Sequence, residues 1–175
     1  MDLILIIFLD LILNVFLELQ VLKKFEVIIF FWNKKTFYNK ILKMVKKKKL
    51  TRSKIVKKLD TVFSQYIRLR NSENEISTCF TCGKEDHWKK LQNGHFQSRK
   101  HYSTRWDETN CQVQCAGCNV FKYGEQYIFS QNLDSIFGEG TAQELQIKAK
   151  QIIKLADFEL EEMIINYKKL VDELI

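Results

Sequence analysis

Two Cys-x-x-Cys pairs, Cys79/Cys82 and Cys115/Cys118, are the residues whose type and spacing speak most directly of chemistry. A two-residue gap lets one tight turn aim both sulfurs at a single tetrahedral ion, and two such turns close a four-sulfur site of the kind that holds structural Zn²⁺. Disulfides are the other use of paired cysteines, but they belong to secreted chains, and the charge pattern here is that of an intracellular nucleic-acid binder. The 32 residues between Cys82 and Cys115 exceed what a simple zinc ribbon needs, so a sizeable insertion is expected. That insertion contains His95, within Gly94-His95-Phe96, and Asn110; Asn119 follows the last cysteine directly. Cys111 is left over. It alternates with Val113 and Cys115 on one face of a short strand and reads as a small buried apolar side chain rather than a fifth ligand.

Helices and strands must carry these residues. Ile55, Leu59, Val62, Phe63 and Tyr66 recur at helical spacing and predict an amphipathic helix over 53–70, with Lys54, Lys57, Lys58 and Arg68 on its other side. The first knuckle spans 78–83, where Gly83 suits a turn. Residues 89–97 read as a strand interrupted at Gly94, and 109–114 as a second strand. The second knuckle opens a short helix through Tyr123 that Gly124 ends. A helix over 125–137 is stopped by Gly138-Glu139-Gly140. A long final helix is predicted over 141–174, opened by the capping-box pattern Thr141-Ala142-Gln143-Glu144 and striped by Leu145, Ile152, Leu155, Phe158, Ile165 and Leu170.

Composition limits the function classes. With 28 Lys and Arg against 21 Asp and Glu, the net charge is +7, and the excess is concentrated: eight basic residues and no acidic ones lie between positions 44 and 58. Polyanion binding is the natural inference, because each Lys or Arg placed on a phosphate releases counterions; a solvated basic tail with no specific ligand is the other reading. Residues 1–43 are different in kind, crowded with Leu, Ile and Phe. As a membrane span the stretch 3–19 is poor, since Asp10 near its middle costs about 2.5–3.5 kcal/mol on insertion scales. Two readings stand for it: a weak membrane anchor, or, preferred here, a non-native extension from translation starting upstream of Met44. Four segments result: 1–43, this apolar extension; 44–74, a basic segment and helix; 75–140, a zinc-bound core; and 141–175, a C-terminal helix.

Two strands, a helix and zinc are the parts of the ββα-metal hairpin of HNH nucleases, and the residues resemble that superfamily. His95 takes the place of its first motif histidine, Asn110 the middle asparagine, and Asn119 the final histidine. More narrowly, Asn93-Gly94-His95-Phe96, Arg105-Trp106-Asp107-Glu108-Thr109-Asn110 and Gln114-Cys115-Ala116-Gly117-Cys118-Asn119 resemble the phage NinG/Rap family of recombination nucleases. That likeness covers residues 57–173 and includes Phe63-Ser64-Gln65-Tyr66-Ile67-Arg68-Leu69-Arg70. The expected fold class is α+β, a zinc-stapled ββα-metal hairpin flanked by amphipathic helices. The resemblance implies a structure-selective endonuclease that cleaves branched DNA such as Holliday junctions and D-loops, in the cytoplasm of a bacterial or phage-infected host cell.

Phosphodiester hydrolysis requires a deprotonated water and a counter-charge for the transition state. An imidazole such as His95 suits the general base, Asn110 is expected to hold and polarise it directly or through its backbone, and Asn119 offers an oxygen to a catalytic Mg²⁺ or Mn²⁺. Lys122, Arg99, Lys100 and Arg105 are the candidate contacts to DNA phosphates. One departure matters: many HNH enzymes place a metal-binding Asp directly before the histidine, and here that position is Gly94. Asp107 or Glu108 are candidate replacements, with a structural loop role as the other reading. His101 reads as an exposed loop residue, and His87 and Trp88 as packing over the zinc site. The competing class is a noncatalytic zinc-containing DNA-binding module. A homodimer through the final helix is a further expectation; a membrane partner is not expected.

Overall fold

The computed structural model describes residues Leu50–Ile175, and before them only Leu11 and Val15. The readings of 1–43 as an anchor or extension, and the basic run 46–49, lie outside the described residues. Among the described residues, no helix is long and apolar enough to cross a membrane.

The fold mixes helices with two small antiparallel sheets. Helix α1 (Arg52–Leu69) buries Ile55, Leu59, Val62, Phe63, Ile67 and Leu69, the stripe its helical spacing dictates. Helix α5 (Asp157–Leu174) covers that stripe with Leu160, Ile164 and Val171. The Arg52–Asp157 ion pair at 2.8 Å and the Phe63–Tyr167 ring contact at 4.9 Å show the two helices running side by side in the same direction.

Strands β1 (Ile76–Thr78) and β2 (Glu85–His87) pair as a short hairpin that the sequence pattern did not reveal. The first Cys-x-x-Cys pair lies in the turn between them, closed by Cys79 N–H to the Lys84 carbonyl and by Gly83 N–H to the Cys79 carbonyl, with Gly83 at φ +72°. Strands β3 (Gln92–His95) and β4 (Cys111–Gln114) form the second sheet, with His95 opposite Cys111 and Gln92 opposite Gln114. The pairing runs unbroken through Gly94, so the expected interruption is absent. All four residues of β4 are buried, hence its alternation does not separate a wet face from a dry one.

Between β3 and β4 the connection contains a one-turn helix, α2 (Tyr102–Arg105). After β4, the expected helix is one π-helical turn, Gly117–Phe121, and Gly124 at φ +87° ends the segment. Helices α3 (Gln126–Phe137) and α4 (Thr141–Ala149) then enclose a second small core of Phe96, Phe129, Leu133, Ala142 and Leu145.

The predicted final helix is in fact two. It breaks between Ala149 and Asp157, and the physical reason is that its halves serve different cores: α4 packs on Phe129, α5 on α1. Helix stability comes mainly from such packing, so a propensity-continuous stretch yields where two cores diverge. The break resets the phase of the apolar stripe. Leu145 stays buried, but Ile152 is 92% exposed, and Phe158 and Ile165 are each 68% exposed. The expected capping box also moves. Helix α4 starts from Gly140 in a left-handed conformation without a side-chain cap, whereas at the start of α5 Glu159 accepts the Ala156 N–H.

Leu160→Ala is expected to destabilise the fold by about 2–5 kcal/mol, the usual cost of emptying a core site. Phe158→Ala should stay within about 0.5 kcal/mol of the parent chain. Urea denaturation of the two variants checks the reassigned stripe.

Candidate metal centre and adjoining cleft

The two knuckles bring four thiols into one cluster. The sulfurs of Cys79, Cys82, Cys115 and Cys118 all lie within 4.8 Å of one another. A tetrahedral ion bonded to sulfur at about 2.3 Å implies sulfur–sulfur edges of about 3.8 Å, and Cys82 Sγ and Cys115 Sγ are 3.8 Å apart. Donors already point at the sulfurs: Cys115 N–H reaches Cys79 Sγ at 3.3 Å, and Cys118 N–H reaches Cys115 Sγ at 3.4 Å. Burial opposes ionisation of Cys79, yet hydrogen bonds from the Thr81 hydroxyl and from the Cys115, Cys82 and Thr81 backbones outweigh it and pull its pKa down to about 6. At Cys118 the same effect of burial prevails and raises the thiol to about 12, so a bound cation would have to displace that proton. Donor type, number and spacing therefore fit a metal ion such as zinc. Cys111 stands outside the cluster, fully buried, its thiol pushed well up by desolvation.

Gln114 ties the knuckles to the sheet. Its buried amide donates to Thr81 Oγ1 at 3.2 Å and to the Gly124 carbonyl at 2.9 Å, joining the first knuckle to the segment after the second. Its side chain crosses β3 at position 94, where a Cβ would come within 2.1 Å of Gln114 Oε1. Any side chain at that position would have to push the Gln114 amide aside, so the packing as it stands admits only glycine.

Beside the cluster lies a cleft of about 330 Å³ lined by Asp60, Ser64 and Arg68 of α1, by Gln92, Asn93 and His95 of β3 and its approach, and by Arg99 and Asn119. The structure therefore brings His95 and Asn119 to one cavity. The imidazole Nε2 is 3.2 Å from the Arg105 main-chain carbonyl. A carbonyl only accepts, so Nε2 carries the proton and Nδ1 keeps its lone pair. Burial, helped by the nearby Arg99 charge, lowers the His95 pKa below the ordinary value despite opposing contributions from the Arg105 and Asn93 carbonyls and Asp60. Asn119 is fixed through its amide, 2.6 Å from Gln92 Oε1.

Other predicted site residues are placed differently. Asn110 is fully buried and makes its side-chain bonds to the loop: it accepts from Gln97 N–H at 2.7 Å and donates to the Gln97 and Thr104 carbonyls. The imidazole's partner is Arg105, and Asn110 acts on it only through the loop it staples. The Arg105 side chain faces inward, with Nε and Nη2 on the Asp60 carboxylate at 2.9 and 2.6 Å. Arg99 does line the cleft, whereas Lys100 lines a neighbouring groove with His101, Tyr102 and Lys150. Lys122 is mainly exposed and pairs with Glu125 at 2.6 Å.

Neither substitute carboxylate reaches the cleft. Asp107 caps the Thr109 and Asn110 amides and pairs with Lys148, while Glu108 takes the Tyr66 and Tyr167 hydroxyls. His87 faces Glu75 and stacks on Trp88, in keeping with a packing role. Sequence reasoning missed Asp60. It is the sole acidic residue of α1, four before Ser64 and eight before Arg68, and that isolation on one helical face was the available signal.

Replacing Cys115 with Ser is expected to abolish metal retention and lower the melting temperature, because ion binding and folding of such a site are coupled; metal analysis and circular dichroism report both. Gly94→Ala should cost about 1–3 kcal/mol by overpacking against Gln114. Gln114→Ala in the same chain should recover part of that loss, read as a coupling in a double-mutant cycle.

No curated protein and no solved structure matches the chain. A family model described as bacteriophage lambda NinG protein matches residues 33–175, starting ahead of the stretch 57–173 and spanning the cysteine cluster and the cleft. The chain belongs to the bacteriophage lambda NinG protein family.

Proposed function

We propose that this protein is a metal-dependent HNH endonuclease that hydrolyses phosphodiesters of branched DNA recombination intermediates, with Holliday junctions and D-loops as substrates. The observation that carries the reading is the meeting of His95 and Asn119 in one cleft beside the four-cysteine cluster. Membership of a phage family adds a recombination-related role. Cys79, Cys82, Cys115 and Cys118 would hold a structural Zn²⁺, which would close both knuckles and brace the turn that carries Asn119.

In this reading a water attacks phosphorus, the bond to the leaving sugar oxygen breaks, and the attacking water's proton passes to His95. With Nε2–H given to the Arg105 carbonyl, Nδ1 is the nitrogen that takes it. Burial keeps the ring neutral near neutral pH, which is the state a base requires. Arg99 and the half-buried Arg68 line the same cleft and supply positive charge for the crowded phosphate. Mg²⁺ or Mn²⁺, when bound, would act as a Lewis acid on the phosphate, held by Asn119 and largely by waters. Lys100 and Lys122, both exposed, would contact flanking phosphates.

A second reading has its own observation. Asp60 is the single carboxylate among the cleft's lining residues, and it already accepts hydrogen bonds from Arg105 and Trp106. A cleft poor in open metal ligands favours a noncatalytic zinc-containing DNA-binding module.

Incubation of the chain with a synthetic four-way junction and a linear duplex, with Mg²⁺ or Mn²⁺, separates the two. The nuclease reading expects cleavage of the junction that falls by about 10²–10⁴-fold in His95→Ala with metal content intact. Binding without cleavage in either ion establishes the module. Because the neutral imidazole is the active form and its pKa is depressed, the rate should fall on the acid side with a midpoint below about 6.5. A midpoint above that value removes His95 from the role of base.

A further inference from the structure

The contacts around Arg105 form a chain that begins on α1 and ends on the imidazole. We infer that Asp60 is a positioning residue for His95: its carboxylate anchors the Arg105 side chain, and the Arg105 main-chain carbonyl then fixes the tautomer and direction of the ring. The inference deepens the nuclease reading and rests on it only for the effect on rate.

Each link is a direct contact. Asp60 Oδ1 accepts from Arg105 Nε at 2.9 Å and from Trp106 Nε1 at 3.0 Å, while Oδ2 accepts from Arg105 Nη2 at 2.6 Å. This is the two-pronged arrangement in which guanidinium and carboxylate fix direction as well as distance. The third guanidinium nitrogen, Nη1, donates to the Arg99 carbonyl at 2.9 Å and so ties the loop to itself. The side chains of Arg105 and Asp60 are 17% and 24% exposed, well inside the range where such pairs are poorly screened.

On the far side of the same residue, the Arg105 carbonyl accepts from His95 Nε2 at 3.2 Å and from Cys111 Sγ at 3.5 Å. Asn110 secures the preceding carbonyl, that of Thr104, at 2.9 Å. The carbonyl is therefore held by its own side chain's anchor and by its neighbour. Asp60 in turn cannot drift, because Leu59 and Phe63, beside it on α1, are locked in the core. A rigid helix thus sets the position of a loop carbonyl, and the carbonyl decides which imidazole nitrogen keeps its lone pair.

The arrangement makes a separable prediction, since neither Asp60 nor the Arg105 side chain supplies the atom that His95 Nε2 contacts. Asp60→Asn removes the charge and one prong while keeping the shape. Arg105→Lys keeps the charge and loses the fork. Leu160→Ala, a core change that removes none of the contacts among Asp60, Arg105 and His95, serves as a destabilised control. The full chain of each variant is compared by NMR of the His95 ring, reading the Nε2-bound proton and the ¹⁵N shifts, and by junction cleavage, with metal content and circular dichroism to verify folding.

The expected result is a protected Nε2 proton in the parent chain and in Leu160→Ala that is lost to solvent exchange in Asp60→Asn and Arg105→Lys. With it, kcat should fall about 10–100-fold, with KM for DNA within about twofold. An unchanged ring proton in folded Asp60→Asn and Arg105→Lys overturns the inference. Loss of that proton in those two variants without any effect on cleavage upholds the positioning and removes His95 as the base. The same loss in a chain that cuts no DNA upholds the positioning and overturns the nuclease reading.

Discussion

Convergence of four sulfurs is the constraint from which the site follows. Strands β3 and β4 contribute four residues each, and an isolated two-stranded hairpin of that size is marginal in water. The knuckles supply what the hairpin lacks. One sits in the turn of β1 and β2, the other follows β4, and closing them on each other holds β4 against the first knuckle, where Phe80 N–H meets the Val113 carbonyl at 2.7 Å. Gln114 adds a polar brace beneath, and Gly94 is the concession that lets the brace pass across β3. With the cluster closed, Asn119 has no freedom to leave the neighbourhood of Gln92, and hence of His95.

Helix α1 plays two parts. One face is core, matched by α5; another is the wall of the cleft and carries Asp60, Ser64 and Arg68. Arg68 is held by the Ser64, Trp88 and Leu91 carbonyls, with its guanidinium over Trp88, so a positive charge is kept at the cleft at the cost of desolvation. The cleft thus carries one cation held in place, Arg68, and one carboxylate, Asp60, that Arg105 and Trp106 already engage.

Much of this was legible in the residues. The Cys-x-x-Cys pairs announced the cluster, helical spacing announced α1, and the order of His95, Asn110 and Asn119 announced the family. The failures share a cause. Arg105 reads as a phosphate contact until Asp60, 45 positions earlier, is found to hold it. Asn110 reads as a partner for the imidazole until its bonds to Gln97 and Thr104 are seen. The apolar stripe of a long final helix dissolves because the chain breaks between Ala149 and Asp157 and turns to a different core.

What the sequence determined by itself is therefore whatever depends on near neighbours: ligand pairs two residues apart, helix faces with a period of 3.6, and turns that need glycine. What only the tertiary structure decided is which charges are spent internally and which face the cleft. That choice depends on pairings between segments distant in sequence, such as Asp60 with Arg105 and Gly94 with Gln114, and local patterns carry no record of them. The physical reason is that burial and ion pairing are set by three-dimensional proximity, while periodicity reports only the geometry of a single element.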